Sequence, residues 1–498
     1  MGSDPLKRLV IVGGGTAGWM TAALVSTIIP TGQCEIVLIE APDVPTVGVG
    51  EATVPPLIGC NQVLGIGEAD FLRLTKGTIK LGIQFVDWDS PGHVYMHPFG
   101  GVGANLGPLQ FHQCWARAAK EGWALPYDGY ALNAIAGYRS RTFPHDPVAP
   151  SPSVSGLYAY HIDAGLYAAM LREVAEARGV RRIGARVERV ETDPESGFIR
   201  SVVLDDDTEI TGDLFVDCTG FSGLLIDQTL GARFERWDRW LPCDSAVVGW
   251  TPTPDLDTPY TRATAHAAGW KWRIPLQHRI SHGLVFSSQH MSDESAQAQL
   301  LERAGEPLDD EPRFIRFTTG ARPEPWTKNC IAIGLSSGFL EPLESTSIDL
   351  IQKSVFRLLR LFPDKTMSED LRAEFNREAM VDTLEVRDFL IMHYKLSHRT
   401  DSPFWDHCRK MEIPPELDRQ LRLFEHHGVV QPRADALFGL GSWTSVMCGM
   451  GLVPRIHHPS VDRLSTEILK DRFSEMRRQL ERAVEPLPTH AEFLAGLG

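Results

Sequence analysis

Positive charge is scarce in this sequence, and long apolar runs are missing altogether. Its 49 Lys and Arg residues are outnumbered by 64 Asp and Glu, which leaves a net charge of −15. That balance argues against a general nucleic-acid or anionic-membrane binder, but it leaves room for a local basic funnel that takes an anion. No stretch approaches the ~18–20 apolar residues that a membrane-spanning helix needs. The opening residues Met1 to Pro5 carry no signal-peptide pattern, so a cytoplasmic location is expected. Eight cysteines (34, 60, 114, 218, 243, 330, 408 and 448) include no Cys-x-x-Cys pair. Reduced, mostly buried thiols are expected, not disulfides or a metal site. The HExxH, GxSxG and P-loop patterns are absent. The pairs His426/His427 and His457/His458 lack metal-ligand spacing and read as surface or loop residues, so no metal is expected.

What is present describes a soluble globular protein. With 498 residues, 43% hydrophobic and 23% charged, the chain can bury one large core or two to three domains. Leu9 to Val12 reads as a buried parallel strand, and an Ala-rich helical stretch runs to about Ile29. Cys34 to Ile39 reads as a second strand ending at Glu40. Thr78 to Trp88 alternates, with Ile79, Leu81, Ile83 and Phe85 on one face and Lys80, Gly82 and Gln84 on the other. Residues 97 to 108 read as a Gly-rich loop, and Pro147 to Ser155 as an exposed connection. Ile162, Leu166, Met170 and Val174 recur at helical spacing, with Gly179 as the stop. Two or three strands are expected between 180 and 218, and antiparallel sheet over 245–290. A helical stripe runs from Ile348 to Phe362 and stops at Pro363. The expected division is a strand-rich module of discontinuous subdomains over 1–360 and a mainly helical region over 361–498.

The first strand leads into Gly13-x-Gly15-x-x-Gly18, and Glu40 follows 22 residues after Gly18. Glycines there allow a tight turn and a close approach of backbone to pyrophosphate, and an acid at the end of the next strand can bind a ribose. A second strand and Thr-Gly turn lies at 213–220, but no second GxGxxG unit is present for a nicotinamide cofactor. This layout suits a flavoprotein. Glu341-Pro-Leu-Glu-Ser-Thr-Ser347 crowds a carboxylate and hydroxyls against a helix start. That combination is either an ordinary cap or an anion site with an acid beside it. Trp270 and Trp272 share a strand face, as aromatic core or as the wall of an aromatic pocket. Lys80 on a polar strand face ordinarily points to solvent, though Gly77 and Gly82 leave its backbone uncluttered.

Taken in order, Gly13-Gly-Gly-Thr-Ala-Gly-Trp19, Val47-Gly-Val-Gly-Glu-Ala-Thr-Val-Pro55, Lys80, His97-Pro-Phe-Gly100, Trp270-x-Trp-x-Ile-Pro275 and Glu341-Pro-Leu-Glu-Ser-Thr346 resemble the flavin-dependent tryptophan halogenases. The resemblance runs from about residue 7 to 456. It implies an α/β, single-component FAD-monooxygenase-like fold with an inserted β-sheet region and a helical C-terminal region. It implies that reduced FAD, oxygen and chloride or bromide give hypohalous acid, which crosses an internal channel to a separate substrate pocket. Lys80 matches the lysine that holds or carries the active halogen, and Glu344 matches the catalytic glutamate. The N–H groups of Thr346 and Ser347 match the halide site. His97, Phe99, Ser345 and Trp443 match the substrate pocket, and Trp270 and Trp272 a wall on the flavin side. The cofactor contacts it implies are Gly13, Gly15, Thr16, Ala17, Gly18, Glu40, Ala52, Val187, Gly334, Leu335 and Ile348. A separate flavin reductase is the expected partner, and a homodimer is compatible.

Two departures bear on substrate and halide. The segment that is Tyr-rich in tryptophan-specific members reads Gly441-Ser-Trp-Thr-Ser-Val-Met447 here. An indole, another electron-rich aromatic, or a carrier- or peptide-bound one is therefore expected in place of free tryptophan. Ser347 stands where a glycine is frequent, which suggests bromide over chloride. An aromatic hydroxylase is the alternative enzyme, but Lys80 and the lack of Gly-Asp at Gly334-Leu-Ser336 oppose it. A catalytically degenerate flavin-binding protein is the other alternative, which retention of Lys80 and Glu344 opposes.

Overall fold

The computed structural model describes residues 4–43, 50–143 and 157–497. The expected connection at Pro147–Ser155 and the Val47–Val49 part of the glycine motif lie outside them. The chain divides into two compact units. The first comprises 1–77, 162–238 and 317–384; the second comprises 78–161, 239–316 and 385–498. The helical region expected from 361 is thus shared between them, with the change at 384.

In the first unit a six-stranded sheet has the order Trp326–Thr327, Cys330–Ala332, Leu214–Asp217, Arg8–Val12, Glu35–Glu40, Arg181–Gly184. All its pairings are parallel except that of 326–327 with 330–332. The four central strands are almost continuously buried. Such apolar runs need cover on both faces. Helix Thr16–Ile28 packs against helices Ala164–Ala177 and Ser347–Arg360. On the other side, Val10, Val12, Val37 and Phe215 share a core with Ile199, Val202 and Ile210 of a small three-stranded sheet. Four strands, not two or three, lie between 180 and 213, and the further strand expected at 213–220 is observed as Leu214–Asp217.

The 164–177 helix corrects the expected stripe. Ile162 belongs to a strand, and Leu166 is 38% exposed. The buried face is Ala164, Tyr167, Ala168, Leu171 and Ala175. Asp163 caps the helix by accepting from the N–H groups of Gly165 and Leu166 at 3.0 and 3.2 Å. Its three alanines let the Ala-rich 16–28 helix come close, and only Tyr167 and Leu171 mark that face with large side chains.

The second unit is built on a seven-stranded sheet. Its order is Arg313–Arg316, Ser245–Thr251, Ile280–Phe286, Gly269–Pro275, Thr261–His266, Gly82–Val86, Val94–Pro98. Every pair is antiparallel except 261–266 with 82–86. The alternating stretch 78–88 is not one strand. It breaks at Leu81 into Thr78–Lys80 and Gly82–Val86, which belong to different sheets. Both of its faces are buried, so the face carrying Lys80 and Gln84 does not meet solvent. His97 and Pro98 close the 94–98 strand and are not part of a loop.

All eight cysteines are free and buried. His426, His427 and His458 are exposed, and His457 pairs with Asp462 at 2.7 Å. Among the described residues no group of three or more His, Cys, Asp or Glu could hold a metal ion, and no helix is long and apolar enough to cross a membrane.

His266 shows how burial couples this fold to pH. Its Nδ1 accepts the Ala268 N–H at 3.2 Å, so its Nε2–H donates to the Val285 carbonyl at 3.0 Å. Burial pushes its pKa down to about 3. The folded value lies below the unfolded one, so this contribution to stability is complete above about pH 6.5 and is lost as pH falls toward the folded value. Going from about pH 7 to about pH 5 should cost roughly 2 kcal/mol through this residue alone. His266→Asn, which keeps an acceptor near Nδ1 without titrating, should show a correspondingly shallower loss of melting temperature. Parallel curves for the two proteins would contradict the assignment.

Candidate functional site

In the first unit the glycine turn is shaped by close contacts. Gly13 has φ +113°, and a Cβ there would lie 2.2 Å from the Cys218 carbonyl oxygen. A Cβ on Gly18 would lie 1.9 Å from the Gly13 carbonyl oxygen. Both positions therefore require glycine. Gly15 faces open space and caps the 16–28 helix without a side-chain hydrogen bond. The helix presents its first N–H groups there, beside Thr16, Ala17 and Gly18, where a pyrophosphate can approach. The residues thus fit a dinucleotide.

Glu40 ends the second strand, but its carboxylate is already engaged. It accepts from Trp19 Nε1 at 3.1 Å and pairs with Arg182. A ribose would share it with these partners. Asp217, which sequence reasoning passed over, is fully buried. Its carboxylate accepts from the N–H groups of Thr219, Leu225 and Ile226 at 2.8–2.9 Å. It fixes the Thr-Gly turn against Gly13. Gly334, with φ +78°, starts a short turn whose position brings it against Ala17, and half-buried Leu335 follows. Ala52 ends the short strand 50–52, and Val187 begins the strand 187–192, both in this unit.

The 341–347 segment is a 3₁₀ turn, Pro342–Glu344, followed directly by the 347–360 helix. Ser345 lies between them with φ +62°, a left-handed conformation that a serine adopts at some cost. The reversal leaves Glu344 buried just ahead of the helix. Thr346 is the N-cap and its own side chain makes no capping bond, and the positive end of the helix favours an anion at this point. Ser347 is half-buried and Ile348 buried. Asp349, in the first turn, is also buried; it accepts from Gln352 at 2.7 Å, and burial pushes its pKa up to about 6.

The second unit holds Lys80, His97, Phe99, Trp270, Trp272 and Trp443. Lys80 has 0% exposure, and its Nζ lies 5.2 Å from the centre of the Phe99 ring. Trp270 and Trp272 are buried, with ring centres 6.0 Å apart. The Trp272 indole lies over Gly283, where a Cβ would come within 2.0 Å of it. His97 and Trp443 belong to an aromatic cluster that also contains Phe389 and Phe438. The two phenylalanines stack at 3.8 Å, His97 lies 5.7 Å from Phe389, and Trp443 meets Phe389 edge-on at 5.3 Å. Phe389 and Phe438 carried no signal in the sequence, since a phenylalanine inside a charged helix or a loop has no local mark of function.

Comparison with known proteins shows the family. The tryptophan halogenase family model matches residues 8–466. The tryptophan 6-halogenase SttH of Streptomyces toxytricini is 34% identical, with 99% of this chain and 98% of that protein covered. Among solved structures, BrvH, a flavin-dependent halogenase from Brevundimonas sp. BAL3, superposes with a TM-score of 0.95 at 44% identity and 99% coverage of both chains. A flavin-dependent halogenase from Xanthomonas campestris gives a TM-score of 0.95 at 43% identity, covering 99% of this chain and 98% of that one. A dinucleotide turn, a helix start that favours an anion, a buried lysine and an aromatic cluster all occur in a chain matched along nearly its whole length, and the chain belongs to the tryptophan halogenase family: it is an oxidoreductase of the halogenase class.

Proposed function

We propose that this protein is an FAD-dependent halogenase that places chloride or bromide on an indole or another electron-rich aromatic, with reduced FAD supplied by a separate flavin reductase. Reduced FAD with oxygen supplies the oxidising power that turns halide into hypohalous acid. The chain's own residues do the rest. The glycine turn 13–18 and the 16–28 helix start hold the pyrophosphate. The N–H groups of Thr346 and Ser347 hold the halide, which carries no proton and needs preorganised donors. Lys80 holds the active halogen toward the aromatic ring, and Glu344 offsets the positive charge that builds on that ring and takes its proton. His97, Phe99 and Trp443 supply the flat walls that an indole requires.

The observation that carries this reading is the burial of Lys80. An ammonium removed from water is costly, and neither a fold nor a hydroxylase needs one at the end of a buried strand. Free tryptophan is not the favoured substrate. The 440–449 helix offers no tyrosine for an amino-acid head group, and the Thr444 hydroxyl donates to the Leu440 carbonyl at 2.9 Å. The test uses NADH, FAD, a flavin reductase, bromide and indole. Sustained, bromide-dependent product formation is expected only when the reductase is present. Steady turnover with NADH and FAD alone would contradict the division of labour.

A further inference from the structure

Lys80 ends a very short strand, Thr78–Lys80, that is an edge of its sheet and pairs on one side with the strand beginning at Ala159. On the free side an N–H of an edge strand has no ladder partner. Here one does find a partner: the Ile79 N–H donates to Nε2 of His490 at 3.1 Å. His490 comes from the last helix, His490–Ala495, and its ring is fully buried. The segment that carries it is clamped. The His490 N–H donates to the Ser140 carbonyl at 2.8 Å, the Thr142 N–H donates to the Pro488 carbonyl at 3.1 Å, and Thr489 and Glu492 form a reciprocal capping box. The ring is thus held by its own backbone and holds the lysine strand in turn.

A second imidazole secures the residue before. The Thr78 hydroxyl has one proton and donates it to the Pro275 carbonyl at 2.8 Å. Its 2.9 Å bond to His161 Nδ1 must then have the imidazole N–H as donor, which leaves His161 Nε2 to accept from the Thr261 hydroxyl at 2.9 Å. Both imidazoles are neutral in this arrangement. His490 must be, because a proton on Nε2 would displace the Ile79 N–H. Burial pushes its pKa down to about 4, against the upward pull of the Leu256 carbonyl and Asp255. Burial, and after it the nearby Lys80, His490 and Arg273, hold His161 well below its usual range.

We infer that His490 is a positioning residue for Lys80: by accepting the Ile79 N–H it fixes the strand end from which the lysine presents the active halogen. This rests on the reading of Lys80 given above. A long buried side chain at the end of so short a strand can swing if the preceding amide is released, and a displacement of about 1 Å at a reacting group can cost about 100-fold.

The test compares His490→Leu, His490→Asn and His490→Gln in the full chain, with reductase, FAD, bromide and indole, and Lys80→Ala in parallel. Only Gln places an oxygen where Nε2 stood; Asn stops near Nδ1. His490→Leu and His490→Asn should lower the turnover number for brominated indole by about 10- to 100-fold. FAD binding and the rate of flavin reoxidation should stay at the wild-type level, and more hypohalous acid should reach an added diketone trap. His490→Gln should recover most of the activity. If His490→Leu does not fold, the Asn and Gln pair decides by the same criteria. Equal loss in Asn and Gln, wild-type turnover in Leu or Asn, or a parallel loss of flavin reoxidation would each overturn the proposal. An inactive Lys80→Ala beside a normal His490→Asn overturns this inference alone; a normal Lys80→Ala removes the reading on which it rests.

Discussion

Lys80→Ala should abolish halogenation while FAD binding and flavin reoxidation continue. The expected loss is about a thousandfold or more, because an oxidant that is no longer held beside the ring reacts only by chance encounter. The variant separates the two halves of the chemistry. Bromide should still be oxidised, and the hypobromous acid should appear in a diketone trap instead of on indole. Removing a fully buried side chain also leaves a cavity, which by itself costs stability. Lys80→Met controls for this, since it fills the volume without an amine. Both variants should be inactive, and the Met variant should melt closer to the wild type. A halogenating Lys80→Met would mean that packing, not the amine, is what the position supplies.

Glu344→Gln should have the second largest effect. The side chain is buried at the end of the 342–344 turn, and Ser345 in its left-handed conformation turns the chain into the 347–360 helix immediately after it. Gln keeps the shape and removes the charge. Loss of one positioned electrostatic group in a dry site costs about 100- to 1,000-fold, or roughly 3–4 kcal/mol. Turnover of indole should fall by that factor while flavin reoxidation is largely preserved. If both fall together, Glu344 serves the flavin side and not the aromatic substrate. Because Glu344 precedes the helix start by so few residues, bromide dependence should be measured in the same preparation. An unchanged apparent affinity for bromide would keep the acid and the halide donors as separate functions.

Much of the architecture was legible because the deciding signals are local. The apolar run at Leu9–Val12, the glycines at 13, 15 and 18 and the acid at 40 define a strand, a turn, a helix and a strand within 40 residues, and these are observed. The helix expected from Ile348 starts one residue earlier, at Ser347. Other features depend on contacts far apart in sequence. Alternation over 78–88 implied a solvent face, yet whether a polar face meets water is decided by what covers it, and both faces here are covered. The 164–177 helix hid its buried side because three of its five residues there are alanines, which a stripe of large apolar residues does not reveal. Phe389 and Phe438 meet His97 across some 290 and 340 residues of chain, and His490 meets Ile79 across 411. Spacing within a window cannot report such contacts. Glu40 was legible as an acid at a strand end, but its engagement by Trp19 and Arg182 was not.

The measurement that bears most directly on the central claim is mass spectrometry of the product from an indole panel, with reductase, FAD, oxygen and bromide. The account predicts a brominated product with bromine's isotopic doublet, which disappears when bromide is omitted. A product carrying added oxygen and no halogen, formed with or without bromide, would make the protein a hydroxylase and contradict the account.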